Sequence, residues 1–506
     1  MKTSPRLSKS RLLSFLQCPR RLWLEIHQPE LAKPSDSARA VMSAGNLVGD
    51  IARRLHPDGF LIEHQDRLSE ALAETQQLIA QEPRRPLFEA TFQHEGVLIR
   101  ADLLLPNFGG SWHAVEVKSS TQVKDYHVTD AAIQKFVMAG AGVPVADVAV
   151  QVINRDFVYP GNDCYEEVRP DGTVNSLFVR QDVTAQIAPL AARDVPEWIA
   201  AARHTAVGEM PEATSNCDKP FECPFKGYCH PETSAYPVEC LPRIGGKAVK
   251  LREQGYADIR DIPDGLLGNE TQEWVRRVTV AGQPELRPAA AAAMLELGYP
   301  RHYLDFETIA FAIPIWKGTR PYQQIPFQWS CHVEQDGGPV SHHEFLNLTG
   351  SDPRRPFAEA LIRSAGEAGP VLVYNQSFEE RIIRDLAAQF DDLALQLLGI
   401  AERLADLLPI ARNNYYHPDM RGSWSIKSVL PTIDSSLDYS QLVGVQHGVQ
   451  AQQAYAEAID PATDEEHRVQ LGENLLAYCQ RDTEAMMALA WFFGQEKGTE
   501  KGTAAG

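Results

Sequence analysis

The sequence predicts an α/β protein with two separate α/β domains. Strand-like apolar runs alternate with helical periodicity in two regions, one on each side of a stretch at 236–295 that contains short helical pieces with Gly and Pro. A chain of 506 residues is also too long for one hydrophobic core. The predicted organisation is a first domain at 1–235, a connector at 236–295, a second domain at 296–495 and a polar, disordered tail at 496–506.

The first domain is predicted to place a mixed sheet between helices. Apolar residues at helical spacing predict three early helices, over 8–27, 38–56 and 66–82. Apolar runs with strand character then predict strands at 86–94, 97–105, 112–118 and 147–153. Two more helices are predicted, at 128–140 and 183–205.

The second domain begins with the strand-like segment RHYLDFET at 301–308. Further strands are predicted near 326–333 and 343–348, and at 369–375. Helical periodicity predicts that the domain ends in helices at 378–389, 394–408 and 471–493.

Charge and hydropathy narrow the possible classes of function. The net charge of −19 argues against a protein that coats nucleic acid by bulk electrostatics. No run of eighteen apolar residues exists, which argues against a membrane protein, and the basic N-terminal segment lacks the apolar core of a signal peptide. A cytoplasmic, reducing location is therefore expected. That segment contains a local basic patch, most simply a solvated helix face, made of Lys2, Arg6, Lys9, Arg11, Arg20 and Arg21.

Three polar residues on two neighbouring strands form the first candidate site. Glu116 and Lys118 in AVEVKSS are two apart on a predicted strand, so their side chains emerge on the same face. A hairpin would bring Asp102 of the preceding strand beside Glu116. Two carboxylates and an ammonium group suit a Mg²⁺ or Mn²⁺ site that positions a water for phosphodiester cleavage. A solvated strand edge is the alternative interpretation.

The helix that follows this strand adds two polar residues to the same region. Asp130 and Gln134 are four apart and share one helix face, from which they would reach a substrate backbone.

Several motifs occur together within residues 8–230. They are FLQCPRRLWL near the N-terminus, Asp102, the EVK triplet, the helix with Gln134 and a C-terminal cysteine triplet. This combination resembles the RecB-type nucleases of the PD-(D/E)XK superfamily, in particular the iron–sulfur subgroup that includes the CRISPR-adaptation exonuclease and AddB. The resemblance implies a restriction-endonuclease-like mixed-sheet domain. It also implies that Asp102 and Glu116 bind the metal, that Lys118 is the water-positioning base and that Gln134 belongs to the site.

Three cysteines in CDKPFECPFKGYC (217–229) are evenly spaced, with five residues between successive ones. The resemblance implies that Cys18 joins Cys217, Cys223 and Cys229 around a [4Fe–4S] cluster, which would close a long loop between the ends of the domain. Structural Zn²⁺ bound by the four cysteines, or by three cysteines and His230, is the alternative.

Two positions depart from the pattern of that family. Gly49, in GNLVGDI, stands where the family often has a metal-binding histidine, and Met138 stands where a tyrosine commonly follows the glutamine. His56 lies two turns after Gly49 and is a candidate substitute for that histidine, although a surface or core histidine satisfied by its structural neighbours is the favoured interpretation.

The connector segment LPRIGGKAVKLREQG (241–255) resembles a helix–hairpin–helix motif. In such a motif, Gly245, Gly246 and Lys247 would contact the sugar-phosphate backbone without reading its sequence. An ordinary Gly-containing turn before an amphipathic helix is an equally supported interpretation.

Four carboxylates and a tyrosine form the second candidate site. YLDFET places Asp305 and Glu307 on one face of a strand, and VLVYNQSFEERII carries Glu379 at the start of a helix. YCQRDTEAM places Tyr478 and Asp482 four apart on a late helix. Four such carboxylates suit a two-metal site in which Tyr478 orients the attacking water.

The order and spacing of these three motifs resemble the tyrosine-containing DEDD exonucleases of the ribonuclease H-like fold, over residues 300–495. The resemblance implies a 3′–5′ exonuclease-like module whose metal ligands are Asp305, Glu307, Glu379 and Asp482. Glu379 replaces the aspartate that is usual in that family. The whole arrangement, including RPYQQIPFQWS at 320–330, is similar to a bacterial family that couples a RecB-type nuclease to this second domain.

The expected function is that of a metal-dependent nuclease that processes single-stranded or duplex DNA ends. No P-loop motif is present, so ATP-driven unwinding would require a helicase partner. DNA repair, phage defence and CRISPR adaptation are all compatible roles. The alternative is a nucleic-acid-binding scaffold with one or both nuclease sites inactive, which Gly49, Met138 and Glu379 favour. Four aromatic residues are candidates for stacking on bases, although core packing explains some of them: Trp316, Tyr322, Phe327 and Trp329.

Overall fold

The computed structural model of the chain describes residues 7–64, 67–231 and 234–495. The described residues form two compact units. Unit 1 contains those up to 231 together with a later segment, 311–323, and unit 2 contains the rest. Helices pack on a mixed sheet in each unit, which confirms the mixed α/β class. Three parts of the sequence predictions lie outside the described residues, namely Lys2, Arg6 and the tail at 496–506.

The strands of unit 1 form mainly one seven-stranded mixed sheet. In chain order, β1 to β9 are Leu7–Ser8, Phe60–Leu61, Leu87–His94, Val97–Pro106, Trp112–Lys118, Val145–Ile153, Glu166–Val168, Val174–Ser176 and Phe178–Asp182. The sheet order is β2-β3-β4-β5-β6-β9, and β1 pairs with β4. Strands β3, β4 and β5 are antiparallel neighbours, whereas β5 and β6 are parallel. Strands β7 and β8 pair only with each other.

The helices of unit 1 follow the predicted order with one interruption. In chain order, α1 to α8 are Lys9–Gln17, Pro19–His27, Asp36–Arg54, Leu68–Ile79, Asp125–Gly140, Thr184–Pro189, Val195–Val207 and Lys226–Cys229. The single helix predicted over 8–27 is wrong, because Cys18 is extended (φ −161°, ψ 117°) and separates α1 from α2. Pro19 is the cause, since a proline disfavours helical geometry in the residue before it.

Helices cover both faces of this sheet. Leu104 and Ala114 of the strands share a buried cluster with Ile133 of α5. Their neighbours Leu103 and Val115 point the other way, into a cluster that includes residues of α3. Because side chains alternate along a strand, the even-numbered positions 102, 116 and 118 lie on the α5 side. The fold therefore brings the predicted site residues next to α5.

Unit 2 is built on a five-stranded mixed sheet. In chain order, β10 to β16 are Glu285–Leu286, Arg301–Ile309, Ile325–Glu334, Val340–Leu346, Val371–Val373, Leu404–Asp406 and Tyr415–Tyr416. The sheet order is β13-β12-β11-β14-β15, with β11 in the centre. Strands β11, β12 and β13 are antiparallel neighbours, and β14 and β15 extend the sheet in parallel.

The helices of unit 2 include one long helix that packs on the central strands. In chain order, α9 to α18 are Lys247–Glu253, Glu270–Ala281, Ala289–Leu295, Arg354–Ala365, Ser377–Gln389, Ala394–Ala401, Leu407–Asn414, Ile426–Val429, Gly448–Ala458 and Glu465–Phe493. The helix predicted over 394–408 is wrong beyond Ala401, because Leu404–Asp406 pairs with β14 as a strand. Periodicity alone does not separate a short apolar strand from the end of a helix.

None of the helices that the structure describes is long and apolar enough to cross a membrane.

Candidate functional site

The most compact group of acidic residues lies at the centre of the unit 2 sheet. Asp305 and Glu307 are two apart on β11, and Asp482 comes from α18. Their ligand atoms all lie within 4.8 Å of one another. Within the described ranges, no other group of three or more His, Cys, Asp or Glu residues meets this spacing. Oxygen ligands at such spacing suit a hard divalent cation.

Hydrogen bonds fix α18 in register with the sheet. The Gln328 side-chain amide on β12 donates to the carbonyl of Leu475 over 2.8 Å. One helical turn past Tyr478, the Thr483 hydroxyl lies 2.8 Å from that of Ser330. Both contacts are buried, where a hydrogen bond is costly to break. They hold Asp482 opposite β11.

Glu379 enters the region from the first turn of α13. Its side chain is 3 % exposed, and Oε2 has no hydrogen-bond partner among the described residues. The turn before the helix is built around Asp406, whose carboxylate accepts the backbone N–H groups of Asn375 and Gln376 over 3.0 and 3.2 Å. Asn375 adopts φ +85°, a conformation that Asn tolerates better than most residues. A buried carboxylate oxygen without a partner favours protonation or a bound cation.

Burial raises the pKa values of these four carboxyl groups, and neighbouring carboxylates raise those of Asp305, Glu307 and Glu379 further. Burial raises the pKa of Asp305 well above its usual range, and the charges of Asp482 and Glu307 raise it further. Glu307 responds in the same way. Burial raises the pKa of Glu379 to about 8 and that of Asp482 to about 6. Such pKa shifts mean that the site binds protons or cations more readily than an exposed acidic cluster does.

Sequence reasoning missed two residues beside this cluster. The half-buried ammonium of Lys427 donates to the Tyr478 hydroxyl over 3.1 Å and lies 4.7 Å from the centre of the Tyr439 ring. The Tyr439 hydroxyl in turn donates to Oδ1 of Asp482. Lys427 also lowers the pKa of Asp305 and Asp482, although burial outweighs this effect. Neither residue belongs to the three motifs that predict the acidic site, and the fold brings them beside it.

Unit 1 brings Asp102, Glu116 and Lys118 together as predicted. Strands β4 and β5 are antiparallel, and the backbone N–H of Val117 donates to Oδ2 of Asp102 over 2.7 Å. The ammonium of Lys118 lies 2.5 Å from Oε1 of Glu116. All three residues line a cleft of about 900 Å³.

A second lysine, Lys9 of α1, also binds the acidic groups of this cleft. Its ammonium lies 2.8 Å from Oε1 of Glu116 and 3.2 Å from Oδ1 of Asp130. Lys118 contacts the same two carboxylates, 2.7 Å from Oδ2 of Asp130. Gln134 donates to Oε2 of Glu116. Asp130 and Gln134 are buried, and they contact Lys118 and Glu116 directly.

The pKa values of Glu116 and Asp102 are shifted in opposite directions. Burial would raise the pKa of Glu116, but Lys118 and Lys9 together hold it well below its usual range. Burial and the charge of Glu116 raise the pKa of Asp102 to about 8. The pKa of Lys118 lies well above its usual range, because Asp130 and Glu116 outweigh its burial. Two ammonium groups therefore contact Glu116 and Asp130, while burial and the charge of Glu116 raise the pKa of Asp130 as they raise that of Asp102.

The positions that depart from the RecB-type pattern lie in different surroundings. Gly49 lines the cleft, and a Cβ atom there would meet only Nη1 of Arg53, at 3.6 Å. His56 instead contacts the Arg180 guanidinium, 3.1 Å away. Met138 is fully buried in the main core of unit 1. The cleft thus has room for a side chain at position 49.

The four predicted cluster cysteines lie in one region of unit 1. Cys217, Cys223 and Cys229 belong to a small apolar cluster around Leu24 and Phe225. Burial raises the pKa of Cys217, and the charges of Cys223, Cys18 and Cys229 raise it further. Burial also acts on Cys18, but hydrogen bonds from Thr214 and backbone N–H groups outweigh it and lower its pKa.

Hydrogen bonds attach the cysteine segment to the N-terminal helices. The Gln17 amide donates to the carbonyls of Asn216 and Phe221 over 2.8 and 2.7 Å. The Trp23 indole donates to the carbonyl of Gly208 over 3.0 Å. Protein contacts therefore connect the two ends of the long loop between Cys18 and Cys217.

The connector segment forms a turn followed by the short helix α9. Gly245 has φ +50°, and Gly246 caps the seven-residue helix that Lys247 begins. The ammonium of Lys247 donates to the carbonyl of Leu267. This contact anchors Lys247 within unit 2.

Part of the second half of the chain matches a known family model. Residues 302–425, which include Asp305, Glu307 and Glu379, match a family described as a domain of unknown function (DUF2779). The chain is 30 % identical over 208 residues to "Uncharacterized protein MG366 homolog" of Mycoplasma pneumoniae, covering 38 % of this chain and 31 % of that protein. It is 24 % identical over 283 residues to "Uncharacterized protein UU173" of Ureaplasma parvum serovar 3, covering 51 % and 41 %. The chain thus spans less than half the length of these relatives, and no solved structure matches it.

Proposed function

We propose that this chain is a metal-dependent nuclease that hydrolyses phosphodiester bonds at DNA ends. Unit 1 would be a RecB-type, PD-(D/E)XK nuclease domain, and unit 2 a ribonuclease H-like, DEDD-type 3′–5′ exonuclease module. The observation that carries the proposal is the acidic group of Asp305, Glu307 and Asp482, whose ligand atoms lie within 4.8 Å of one another. Asp482 is buried and Asp305 and Glu307 are half-buried, and carboxylates at this spacing repel each other unless protons or cations neutralise them.

The residues of unit 2 fit one or two Mg²⁺ or Mn²⁺ ions. Asp305, Glu307 and Asp482 offer oxygen ligands, and Glu379 adds a buried oxygen without a hydrogen-bond partner. When bound, such ions polarise the phosphate and acidify the attacking water. Lys427 orients the hydroxyl of Tyr478, which would hold that water. The ammonium group of Lys427 would also stabilise the negative charge on a phosphate oxygen.

The cleft of unit 1 supports a second site with different chemistry. Asp102 and Glu116 would bind one divalent ion, and Lys118 would position the water that attacks the phosphate. Lys9, Asp130 and Gln134 orient Glu116 and Lys118 through direct contacts. The antiparallel β3-β4-β5 strands followed by parallel β6 are compatible with the fold that the sequence motifs imply.

We also propose that the four cysteines bind a [4Fe–4S] cluster, with Zn²⁺ as the alternative. Leu24 and Phe225 pack against the cysteines of the triplet, and hydrogen bonds lower the pKa of Cys18. Both features suit thiolate ligands. A single Zn²⁺ ion with bonds of ~2.3 Å would require sulfur atoms roughly 4 Å apart. In the described part of the chain, no three cysteines meet a 4.8 Å spacing, which is wider than a single Zn²⁺ ion requires.

The test is cleavage of DNA labelled at either end, single-stranded or duplex, with Mn²⁺ or Mg²⁺ and anaerobically purified protein. We expect Asp305→Asn to abolish 3′–5′ degradation and Lys118→Met to abolish a separate activity. Glu402→Gln, which changes an exposed carboxylate of unit 2, should leave both activities intact and serves as the matched control. Cleavage that survives in the Asp305→Asn, Lys118→Met double variant would contradict the proposal.

The alternative function, a nucleic-acid-binding scaffold, is favoured by the state of the unit 1 cleft. Glu116 is already neutralised by two lysines, and Gly49 offers no ligand. A wild-type protein that binds DNA in the presence of Mn²⁺ without cutting it would support this alternative.

A further inference from the structure

A second cavity of unit 1 continues from the proposed nuclease cleft. It has a volume of about 660 Å³ and shares Lys118 and Ser119 with the cleft. Three aromatic residues line it, namely Tyr126, Phe221 and Tyr322. We call this cavity the aromatic groove. A nucleic-acid strand bound at Lys118 would extend into the aromatic groove.

The charges around the aromatic groove suit a polyanion. Lys124 and Arg155 line it, and both are exposed. Among the described residues, neither forms an ion pair, although the Lys124 ammonium lies 5.8 Å from the centre of the Tyr126 ring. The one carboxylate that the described part of the chain places in the groove lining, Asp130, is paired with Lys9 and Lys118. In a chain with a net charge of −19, such a local basic surface is a specific feature.

Tyr322 reaches the groove on a segment that comes from the second half of the sequence. This segment, 311–323, belongs to unit 1. Ala312 and Ile313 are buried in a core cluster of unit 1. The backbone N–H of Gly318 donates to the carbonyl of Tyr159 over 2.8 Å, and that of Tyr159 donates to Thr319 over 3.0 Å. The segment is therefore a fixed part of the groove wall.

Tyr322 has a backbone conformation that is unfavourable for a tyrosine. Its φ angle is +58°, a region in which a bulky side chain is an outlier and glycine would be unstrained. Its backbone N–H donates to Phe311 over 2.8 Å, and its hydroxyl donates to the carbonyl of Ser119, next to Lys118. Strained residues held by surrounding contacts are concentrated at functional sites.

We propose that Tyr322, together with Tyr126 and Phe221, forms a stacking surface for unpaired bases of a nucleic-acid strand whose phosphate lies at Lys118. This inference rests on the proposed nuclease function of unit 1. Aromatic rings can stack on bases only where those bases are unpaired, because paired bases hide their faces within the duplex. Lys124 and Arg155 would contact the backbone of the same strand.

The other aromatic candidates from the sequence do not share this role. Phe327 and Trp329 are buried within unit 2, and Trp316 is buried within unit 1. Tyr322 is the member of that set that lines the groove.

The test measures binding of fluorescein-labelled oligodeoxythymidylate, oligouridylate and a DNA duplex by fluorescence anisotropy, with the full chain and Ca²⁺ in place of Mg²⁺. We expect Tyr322→Ala and Tyr322→Leu to weaken single-strand binding about fivefold or more, because one stacked base contributes about a factor of five or more. Tyr322→Phe keeps the ring and should bind within about threefold of wild type. Phe108→Ala, at a 96 % exposed ring elsewhere in unit 1, is the matched control.

The outcomes separate this inference from the proposed function. Tyr322→Leu keeps the apolar bulk, so a melting temperature like that of wild type together with weakened binding would support stacking. If Tyr322→Ala and Tyr322→Leu bind the single strands as tightly as wild type does, the inference is overturned and the nuclease proposal still stands. A wild type that neither binds nor cuts any of the three probes would overturn both. Comparison of the deoxythymidylate and uridylate probes tells whether the strand is DNA or RNA.

Discussion

Replacing Glu379 by glutamine should stabilise metal-free unit 2 as the pH rises. Glu379 has a usual pKa of 4.5, which burial raises to about 8 in the folded protein. Between these values, the folded state keeps a proton that the unfolded chain has lost. The free energy of unfolding of the wild type therefore falls as the pH rises through this window. Glutamine has no proton to lose, so the variant escapes this loss.

The size of the effect follows from the width of the pKa shift. Each pH unit inside the window costs about 1.4 kcal/mol. From pH 5 to pH 7, the free energy of unfolding of Glu379→Gln should therefore gain about 3 kcal/mol relative to wild type. Mn²⁺ should reverse the order, because the wild type keeps a metal ligand that the variant lacks.

Cysteine labelling measures this difference for unit 2 alone. Cys331 and Cys479 are fully buried in unit 2 and become reactive only when it unfolds. The protein is equilibrated in urea with a chelator at pH 5, 6 and 7, and a short labelling pulse at one fixed pH then reads the unfolded fraction. Glu402→Gln, at an exposed position, controls for loss of charge without burial. Parallel pH curves for Glu379→Gln and wild type would refute the reasoning.

Three further predictions concern other residues. Lys427→Met should slow cleavage that depends on Asp305 by about 100-fold, because it removes the donor to Tyr478, while Mn²⁺ still raises the melting temperature; an unchanged rate would contradict this. Gly49→His should tighten Mn²⁺ binding to the unit 1 cleft by about 10-fold in calorimetry, since only Nη1 of Arg53 lies near the new Cβ atom; Gly49→Ala is the control. Cys18→Ser should lose iron and visible absorbance after anaerobic purification, whereas Cys164→Ser should retain both.

Much of the fold and site follows from local sequence patterns. The strands at 97–106 and 112–118 have the two-residue alternation that sorts side chains between faces, so the proximity of Asp102 to Glu116 could be predicted. The spacing of Asp305 and Glu307, and of Tyr478 and Asp482, likewise fixes which side chains share a face.

The contributions of single residues from distant segments could not be predicted. Lys9 stood among several basic residues of a helix, and nothing local distinguished it from a solvated one. Lys427 and Tyr439 reach the acidic group only because α16 and the following turns pack against α18. The membership of 311–323 in unit 1 depends on tertiary packing that no periodicity encodes.

The place of residues 311–323 in the chain has a consequence for the order of folding during synthesis. Domains generally fold as they leave the ribosome, beginning with the N-terminal one. Unit 1 cannot do so completely at residue 231, because Ala312 and Ile313 of its core and Tyr322 of its groove are translated only after β11. Part of the apolar surface of unit 1 therefore stays uncovered until the ribosome has made the strand that carries Asp305 and Glu307.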